Sequence, residues 1–135
     1  MAVEGLTTLK SAYGATETMA RLKQAVASKG MTVFAHVDHA AGAKDSGLPL
    51  RPTDLLIFGS PKGGTPVMQS VQTAGIDLPL KALVWEDGVG TTWLSYNTPA
   101  WLASRHGADA PSAVRAMTAA MDAVAAAATS ASPPR

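Results

Sequence analysis

The chain has 135 residues, 47% of them hydrophobic and 16% charged, which fits one globular domain with a single buried core. The formal net charge is +1 and the 11 lysines and arginines are scattered, so no basic patch indicates nucleic-acid binding. Cysteine is absent, which excludes disulfides, thiolate metal sites and covalently attached c-type haem.

Hydropathy along the chain indicates neither a secretory signal nor a membrane span. The first residues lack a basic region followed by an apolar run. No stretch approaches the roughly 20 consecutive apolar residues that a transmembrane helix needs. We therefore expect a cytoplasmic protein that does not bind membranes.

The first part of the chain predicts a β-α-β start. A strand is expected over 6–13, a helix over 16–28 and a strand over 31–37, in which side chains alternate between two faces. Asp38 is then expected to cap a short helical turn over 40–44.

The middle of the chain predicts strands separated by turns. A strand over 53–58 precedes a Gly/Pro-rich turn over 59–66 and a short helix over 67–73. The segment 78–85 is apolar on both faces, which places it in the centre of a sheet. A hairpin turn then leads to a strand over 91–96.

Two helices are predicted at the end of the chain. Thr98-Pro99 starts the first, and Gly107 ends it. The second starts near Pro111, and an apolar seam at three- and four-residue spacing runs along it. The members of the seam are Val114, Met117, Met121 and Val124.

These elements predict an α+β fold: a compact two-layer sandwich with a mixed or antiparallel sheet and helices packed on one face. We expect one domain over 1–128 and a flexible Ala/Ser/Pro-rich tail over 129–135.

The run His36-Val37-Asp38-His39 is the first candidate for chemistry. Two imidazoles and a carboxylate could bind a metal or act as a general base. In a continuing strand the two histidines point to opposite faces, and they converge only if the chain turns helical at Asp38. The alternative is a capping Asp38 and a structural hydrogen bond from His39, and the lack of a third metal ligand favours it.

The remaining candidates have structural interpretations too. The loop 59–66 lacks the Gly-Lys-Ser/Thr ending of a phosphate-binding loop, so we expect a rigid turn. Arg51, in an apolar stretch, is expected to pair with Asp38 or Asp54. Asp77, Glu86 and Asp87 lie in predicted turns, where a solvated acid is the default. Trp85 and Trp93 are expected to pair across a hairpin.

Seven short segments occur in order along the chain. They are His36-Val37-Asp38-His39-Ala40-Ala41-Gly42-Ala43, Leu50-Arg51-Pro52-Thr53, Leu55-Leu56-Ile57-Phe58-Gly59-Ser60-Pro61, Gly64-Thr65-Pro66-Val67-Met68, Ile76-Asp77-Leu78-Pro79-Leu80-Lys81, Val84-Trp85-Glu86-Asp87 and Trp93-Leu94-Ser95-Tyr96-Asn97. Together this set resembles the bacterial family of domains of unknown function numbered 302. The resemblance covers about 5–107 and leaves the helix over 111–128 outside the usual family span.

The resemblance implies a compact α+β sandwich that is often dimeric. The family pattern centres on Asp38-His39, on Arg51-Pro52 and on the loop 59–68, which are expected to gather around one site. No activity comes with the resemblance.

The leading functional hypothesis is a homodimeric ligand-binding protein that holds a b-type haem near the dimer interface. His39 would be the axial ligand, with His36 the less favoured histidine and Arg51 part of the same site. Met68 would be a second ligand or a pocket wall, and Phe34 would line the slot.

Two alternatives stay open. One is a small enzyme in which His39, oriented by Asp38, acts as general base on an anionic substrate held by Arg51. The other is a protein-interaction module that binds a partner through the Met117/Met121 helix.

Overall fold

A computed structural model describes residues 2–131. The strands in this part of the chain are β1 (Leu6–Lys10), β2 (Thr32–Asp38), β3 (Thr53–Gly59), β4 (Leu80–Glu86) and β5 (Thr92–Asn97). The helices are α1 (Ala15–Ser28), α2 (His39–Asp45), α3 (Pro61–Ser70), α4 (Pro99–His106) and α5 (Pro111–Thr129), with a 3₁₀ helix over Gln72–Ile76.

The five strands form one antiparallel sheet in the order β1-β5-β4-β3-β2. The predicted α+β sandwich is therefore confirmed, and β4 lies at the centre of the sheet as its apolar sequence indicated. β1 and β2 occupy opposite edges, so the helix α1 that joins them crosses the sheet from one edge to the other.

The core lies between one face of the sheet and the helices α1, α3 and α5. Its residues recur at helical spacing in α1 and α5 and at alternate positions in the strands, which is how each element turns one side inward. The largest buried side chains are Phe58, Leu22, Leu56, Leu94, Met121, Val26, Val67, Val84 and Val124. Each such apolar side chain stabilises the fold by about 1.5–3 kcal/mol relative to exposure.

The predicted seam on α5 is confirmed as packing within the molecule. Met117, Met121 and Val124 are buried in the core. The burial of these side chains favours a packing role for the seam over a surface that binds a partner.

The opposite face of the sheet is only partly covered. Leu55 pairs with Val37 on one side and with Leu83 on the other, and these three side chains share this face. Trp85 stacks on Trp93 with ring centroids 6.2 Å apart, which confirms the predicted cross-strand pair. We call this surface the open face.

Several predicted boundaries are wrong. β1 ends at Lys10, where a strand over 6–13 was expected. α1 begins at Ala15, with Gly14 rather than Thr16 as its N-cap. The expected turn over 59–66 is instead the end of β3 and the start of α3, since Pro61 suits the first position of a helix and Pro66 removes only one helical hydrogen bond.

The end of α5 lies within one residue of the predicted one, since the helix was expected over 111–128. The helix continues to Thr129, with Ala125 and Ala128 fully buried. Alanine has the highest helix propensity and permits close packing, so an Ala-rich segment beside a core stays helical. Of the expected flexible tail over 129–135, residues 132–135 lie outside the described residues.

Candidate functional site

An apolar cleft of about 620 Å³ opens at the end of the sheet where β2 begins and β3 ends. The start of α3 and the middle of α5 form its two helical walls. Most of its lining side chains are apolar: Met31, Phe34, Pro61, Met68, Leu78, Pro79, Leu80, Ala116, Met117 and Ala120. The rest of the lining is Gly59, Ser60, Lys62, Gly63, Gly64 and Thr65.

A bulge in β2 presents Phe34 to the cleft. The pairing of β2 with β3 shifts register between Val33 and Ala35, and Phe34 is the residue at the shift. Bulges of this kind re-aim a side chain away from the regular alternation of a strand. Phe34 remains 51% exposed, so the cleft is open to solvent on this side.

Met68 forms the wall contributed by α3. A Cβ placed on Gly75 would lie 3.3 Å from the Met68 sulfur, so the absence of a side chain at Gly75 lets the 3₁₀ helix pack closely against Met68. This close approach packs the 3₁₀ helix against Met68.

The histidine run lies at the other end of β2. Asp38 accepts a hydrogen bond from the backbone N–H of Ala41 at 2.9 Å, which confirms it as the N-cap of α2. His39 is the first residue of that helix and is exposed. His36 donates from Nε2 to Oδ1 of Asp54 at 2.9 Å, across the β2–β3 pair.

Arg51 does not pair with the carboxylates expected for it. Its Nε donates to the backbone carbonyl of Glu86 at 3.2 Å, and Asp54 is bonded to His36. Hydrogen bonds from Trp93 and from the backbone N–H of Thr91 lower the pKa of Asp87, and the charge of Arg51 acts in the same direction.

The predicted dyad of Asp38 and His39 does not take the form that a general base needs. Asp38 and Arg51 line a shallow depression of about 740 Å³ together with Lys44, and His39 is not among its lining residues. Asp38 uses Oδ1 to cap the helix. Among the hydrogen bonds of residues 2–131, none joins Asp38 to His39, so the carboxylate does not orient the imidazole.

The five predicted site residues thus fall into separate groups. Phe34 and Met68 both line the cleft, whereas His36, His39 and Arg51 lie toward the far end of β2. His39 lies five positions after Phe34, roughly 16 Å away at about 3.3 Å per strand residue.

This separation determines whether a single copy of the chain could ligate a haem bound in the cleft. Its iron would need an imidazole or a thioether. Met68 offers the thioether, but no histidine lines the cleft. In the described part of the chain, no group of three or more His, Cys, Asp or Glu residues is placed to hold a metal. The residues of a single copy therefore do not fit haem ligated by His39.

A cluster of hydrogen-bonded polar side chains near the cleft was not predicted from the sequence. Asp77 Oδ2 accepts hydrogen bonds from Arg105 Nη1 and from His106 Nε2, each at 2.6 Å. Thr73 Oγ1 lies 3.0 Å from His106 Nδ1. Burial works to raise the pKa of Asp77, but the bonds from His106 and Arg105 outweigh it and lower the pKa. Asp77 is therefore a bonded carboxylate and not the solvated turn residue expected.

The fold and the cleft together define a small α+β sandwich domain with an apolar site at one end of its antiparallel sheet. The chain belongs to the family described as "Domain of unknown function DUF302", whose model matches residues 7–127. The resemblance found in the sequence is thereby confirmed. The match extends through most of α5, which was expected to lie outside the family span.

A solved structure has the same fold. It is titled "Crystal structure of uncharacterized conserved protein DUF302 from Bacillus stearothermophilus" and superposes with a TM-score of 0.82 at 20% identity. The superposition covers 93% of this chain and 99% of that one.

The curated relatives are larger proteins. "Fluoride-specific ion channel FluC 1" of Brucella suis is 51% identical over 115 residues, which is 84% of this chain and 45% of that protein. "Fluoride-specific ion channel FluC 2" of Brucella melitensis matches equally, over 43% of its length. The chain therefore spans less than half the length of these relatives. Within residues 2–131 no helix has both the length and the apolar character to cross a membrane.

Proposed function

We propose that this protein binds a small, largely apolar molecule in the cleft. The observation that carries the proposal is a 620 Å³ cleft with a predominantly apolar lining. Ligand sites for small molecules commonly occupy about 300–1,000 Å³ and combine an apolar lining with a few polar groups.

The exposure of Phe34 and the flexibility of Met68 favour a ligand site over a defect in core packing. Protein interiors pack densely and leave few voids, so apolar side chains that face a large open space are unusual. Phe34 is half exposed although the cleft beside it is apolar. Met68 is flexible and polarisable, which suits a wall that adapts to a bound molecule.

Filling the cleft tests the proposal. Ala116 lines the cleft from α5, so Ala116→Phe should occupy part of its volume. Ala119 is exposed on the same helix and does not line the cleft, which makes Ala119→Phe the matched control. The neutral dye Nile red is a suitable probe, titrated by fluorescence. We expect saturable binding that weakens at least tenfold in Ala116→Phe and is unchanged in Ala119→Phe; equal binding in both variants would contradict the proposal.

A b-type haem is the narrower form of this proposal. Its apolar plane suits the cleft, but His39 lies at the far end of β2, so this form requires the imidazole of a second copy. Haemin titration of the wild type, His39→Ala, His36→Ala and Met68→Leu tests it. A stoichiometric Soret band lost only in His39→Ala would support that form, and equal spectra in all four proteins would overturn it.

We also propose that the protein works as a homodimer in the cytoplasm, with two copies meeting at the open face. Val37 is 38% exposed there, and Leu55, Leu83 and Trp85 are half-buried. An apolar centre with polar residues such as Thr8 and Asn97 at its edge is typical of protein interfaces.

A second candidate function comes from the Brucella relatives, whose names describe fluoride-specific ion channels. At 51% identity over most of this chain, we propose an accessory role in fluoride handling beside such a channel. Deleting the gene and measuring growth against fluoride concentration tests this role. We expect a lower tolerance that the wild-type gene restores. Unchanged tolerance would contradict the role and leave the cleft proposal intact.

A further inference from the structure

We infer that the natural ligand of the cleft is an amphiphile with one anionic group, of which a medium- or long-chain carboxylate is the simplest example. Its apolar part would lie in the cleft and its anionic group beside Lys62. This inference rests on the proposed function, because it needs the cleft to be a ligand site.

The charges around the cleft point to the sign of the ligand. Lys62 lines the cleft, and no aspartate or glutamate occurs among the lining residues. A cationic ligand would be repelled by Lys62 and would find no carboxylate in the lining. An anionic group would meet one ammonium group and no charge of its own sign.

Lys62 is available for this role. Lys62 is exposed, and no carboxylate in residues 2–131 forms an ion pair with its ammonium group. A lysine can lay its aliphatic stem on an apolar surface while its charged end stays in water. Lys62 can therefore extend the apolar wall and place a positive charge at the mouth of the cleft.

The N-terminal end of α3 adds a partial positive charge beside Lys62. Lys62 is the second residue of this ten-residue helix, after Ser60 as N-cap and Pro61. The N-terminal end of a helix carries a partial positive charge. The inference depends on the cleft and on Lys62, and the helix end strengthens the preference.

The shape of the site favours an amphiphile over a small hydrophilic anion. Only one charged residue meets an otherwise mostly apolar lining, so a compact anion such as phosphate would gain one exposed contact and lose its hydration. A molecule with a long apolar part gains from burial of that part as well.

Three probes of matched chain length separate the charge from the apolar part: dodecanoate, dodecanol and dodecyltrimethylammonium, each kept below its micellar concentration. Their affinities are measured by displacement of Nile red from the full chain at neutral pH. We expect dodecanoate to bind about fivefold more tightly than dodecanol, the size of one exposed ion pair, and the cation to bind most weakly.

Lys62→Met should lower the affinity for dodecanoate to that for dodecanol and leave dodecanol unchanged. Lys23→Met, an exposed lysine of α1 outside the cleft, should leave both affinities unchanged. Equal affinities for dodecanoate and dodecanol in the wild type, or no effect of Lys62→Met, would overturn this inference. The proposed function would then stand with a neutral apolar ligand. If Nile red and all three probes fail to bind, the proposed function itself fails.

Discussion

His106 donates a hydrogen bond from Nε2 to Oδ2 of Asp77 at 2.6 Å, and this contact joins the end of α4 to the segment that leads into β4. Leu78 and Pro79, which follow Asp77 directly, line the cleft. The contact therefore holds one wall of the proposed ligand site, although neither residue lies in the lining itself.

Asp77→Asn should lower the free energy of unfolding by about 1–2 kcal/mol at pH 7, because it replaces charged hydrogen bonds with weaker neutral ones. The pKa of Asp77 is lowered from 3.8 in the folded protein. A lowered pKa stabilises the fold above the unfolded value, and that stabilisation is lost as the pH falls through the folded value. The difference between wild type and variant should therefore shrink below about pH 4. Urea unfolding at several pH values measures this.

The control for this prediction is Asp45→Asn, at an exposed carboxylate at the end of α2. It should change the unfolding free energy little at any pH. A gap between wild type and Asp77→Asn that stays constant from pH 7 to pH 3 would show that the charge of Asp77 is not the source of the stability.

Tyr96 carries the second pH-dependent prediction. Burial of its ring and a hydrogen bond to Oδ1 of Asp122, at 2.7 Å, raise the pKa of Tyr96 to about 12. A raised pKa stabilises the fold fully below the unfolded value of 10.0, and the stabilisation is lost as the pH rises toward 12. Tyr96→Phe should cost about 1 kcal/mol at pH 7 and less at high pH.

The ultraviolet absorbance of tyrosinate checks the pKa directly, since the chain has two tyrosines. In Tyr13→Phe only Tyr96 titrates, and its midpoint should lie well above that of a free tyrosine. A midpoint near 10.0 would contradict the predicted stabilisation of the neutral hydroxyl.

Periodicity and capping residues were enough to predict most of the fold. The apolar character of 78–85 placed β4 at the centre of the sheet, and Asp38 and Thr98 marked the starts of α2 and α4. These signals are local, so they depend on neighbouring residues alone. The start of α3 was missed because two prolines and two glycines look like a turn unless the core that stabilises the helix is known.

The site was less predictable because its residues come from distant parts of the chain. Phe34 and Met68 were recognised as wall residues, but nothing in the sequence showed that α5 faces them with Ala116 and Ala120. Pairing Asp77 with His106 requires the packing of α4 beside the 3₁₀ helix, and no spacing rule relates residues 29 positions apart.

Two glycines provide opposite predictions for stability. Gly5 has φ +74°, and a Cβ there would overlap the ring of Trp101. Gly5→Ala should therefore destabilise the fold by about 1–3 kcal/mol through strain and overlap. Gly42 lies within α2 with open space where a Cβ would sit, so Gly42→Ala should stabilise by about 0.5–1 kcal/mol. Thermal and urea unfolding measure both, and shifts of the same sign would contradict the backbone argument.

Leu83→Lys tests whether two copies meet at the open face. Leu83 lies between Leu55 and Ser95 on this face, so a lysine there would place two ammonium groups within the proposed apolar interface. We expect a dimer in the wild type and a monomer in the variant, measured by light scattering after size-exclusion chromatography. Ala27→Lys, at an exposed position of α1, should leave the dimer intact.

A second variant, Val37→Lys, tests the same interface if Leu83→Lys fails to fold. Val37 is 38% exposed on the edge strand β2, so Val37→Lys should be tolerated by the monomer and still weaken the dimer. A wild-type monomer at tens of micromolar would contradict the proposed association. A dimer that survives both lysine substitutions would instead place the interface elsewhere on the molecule, because two buried ammonium groups without partners cannot be accommodated at a close apolar contact.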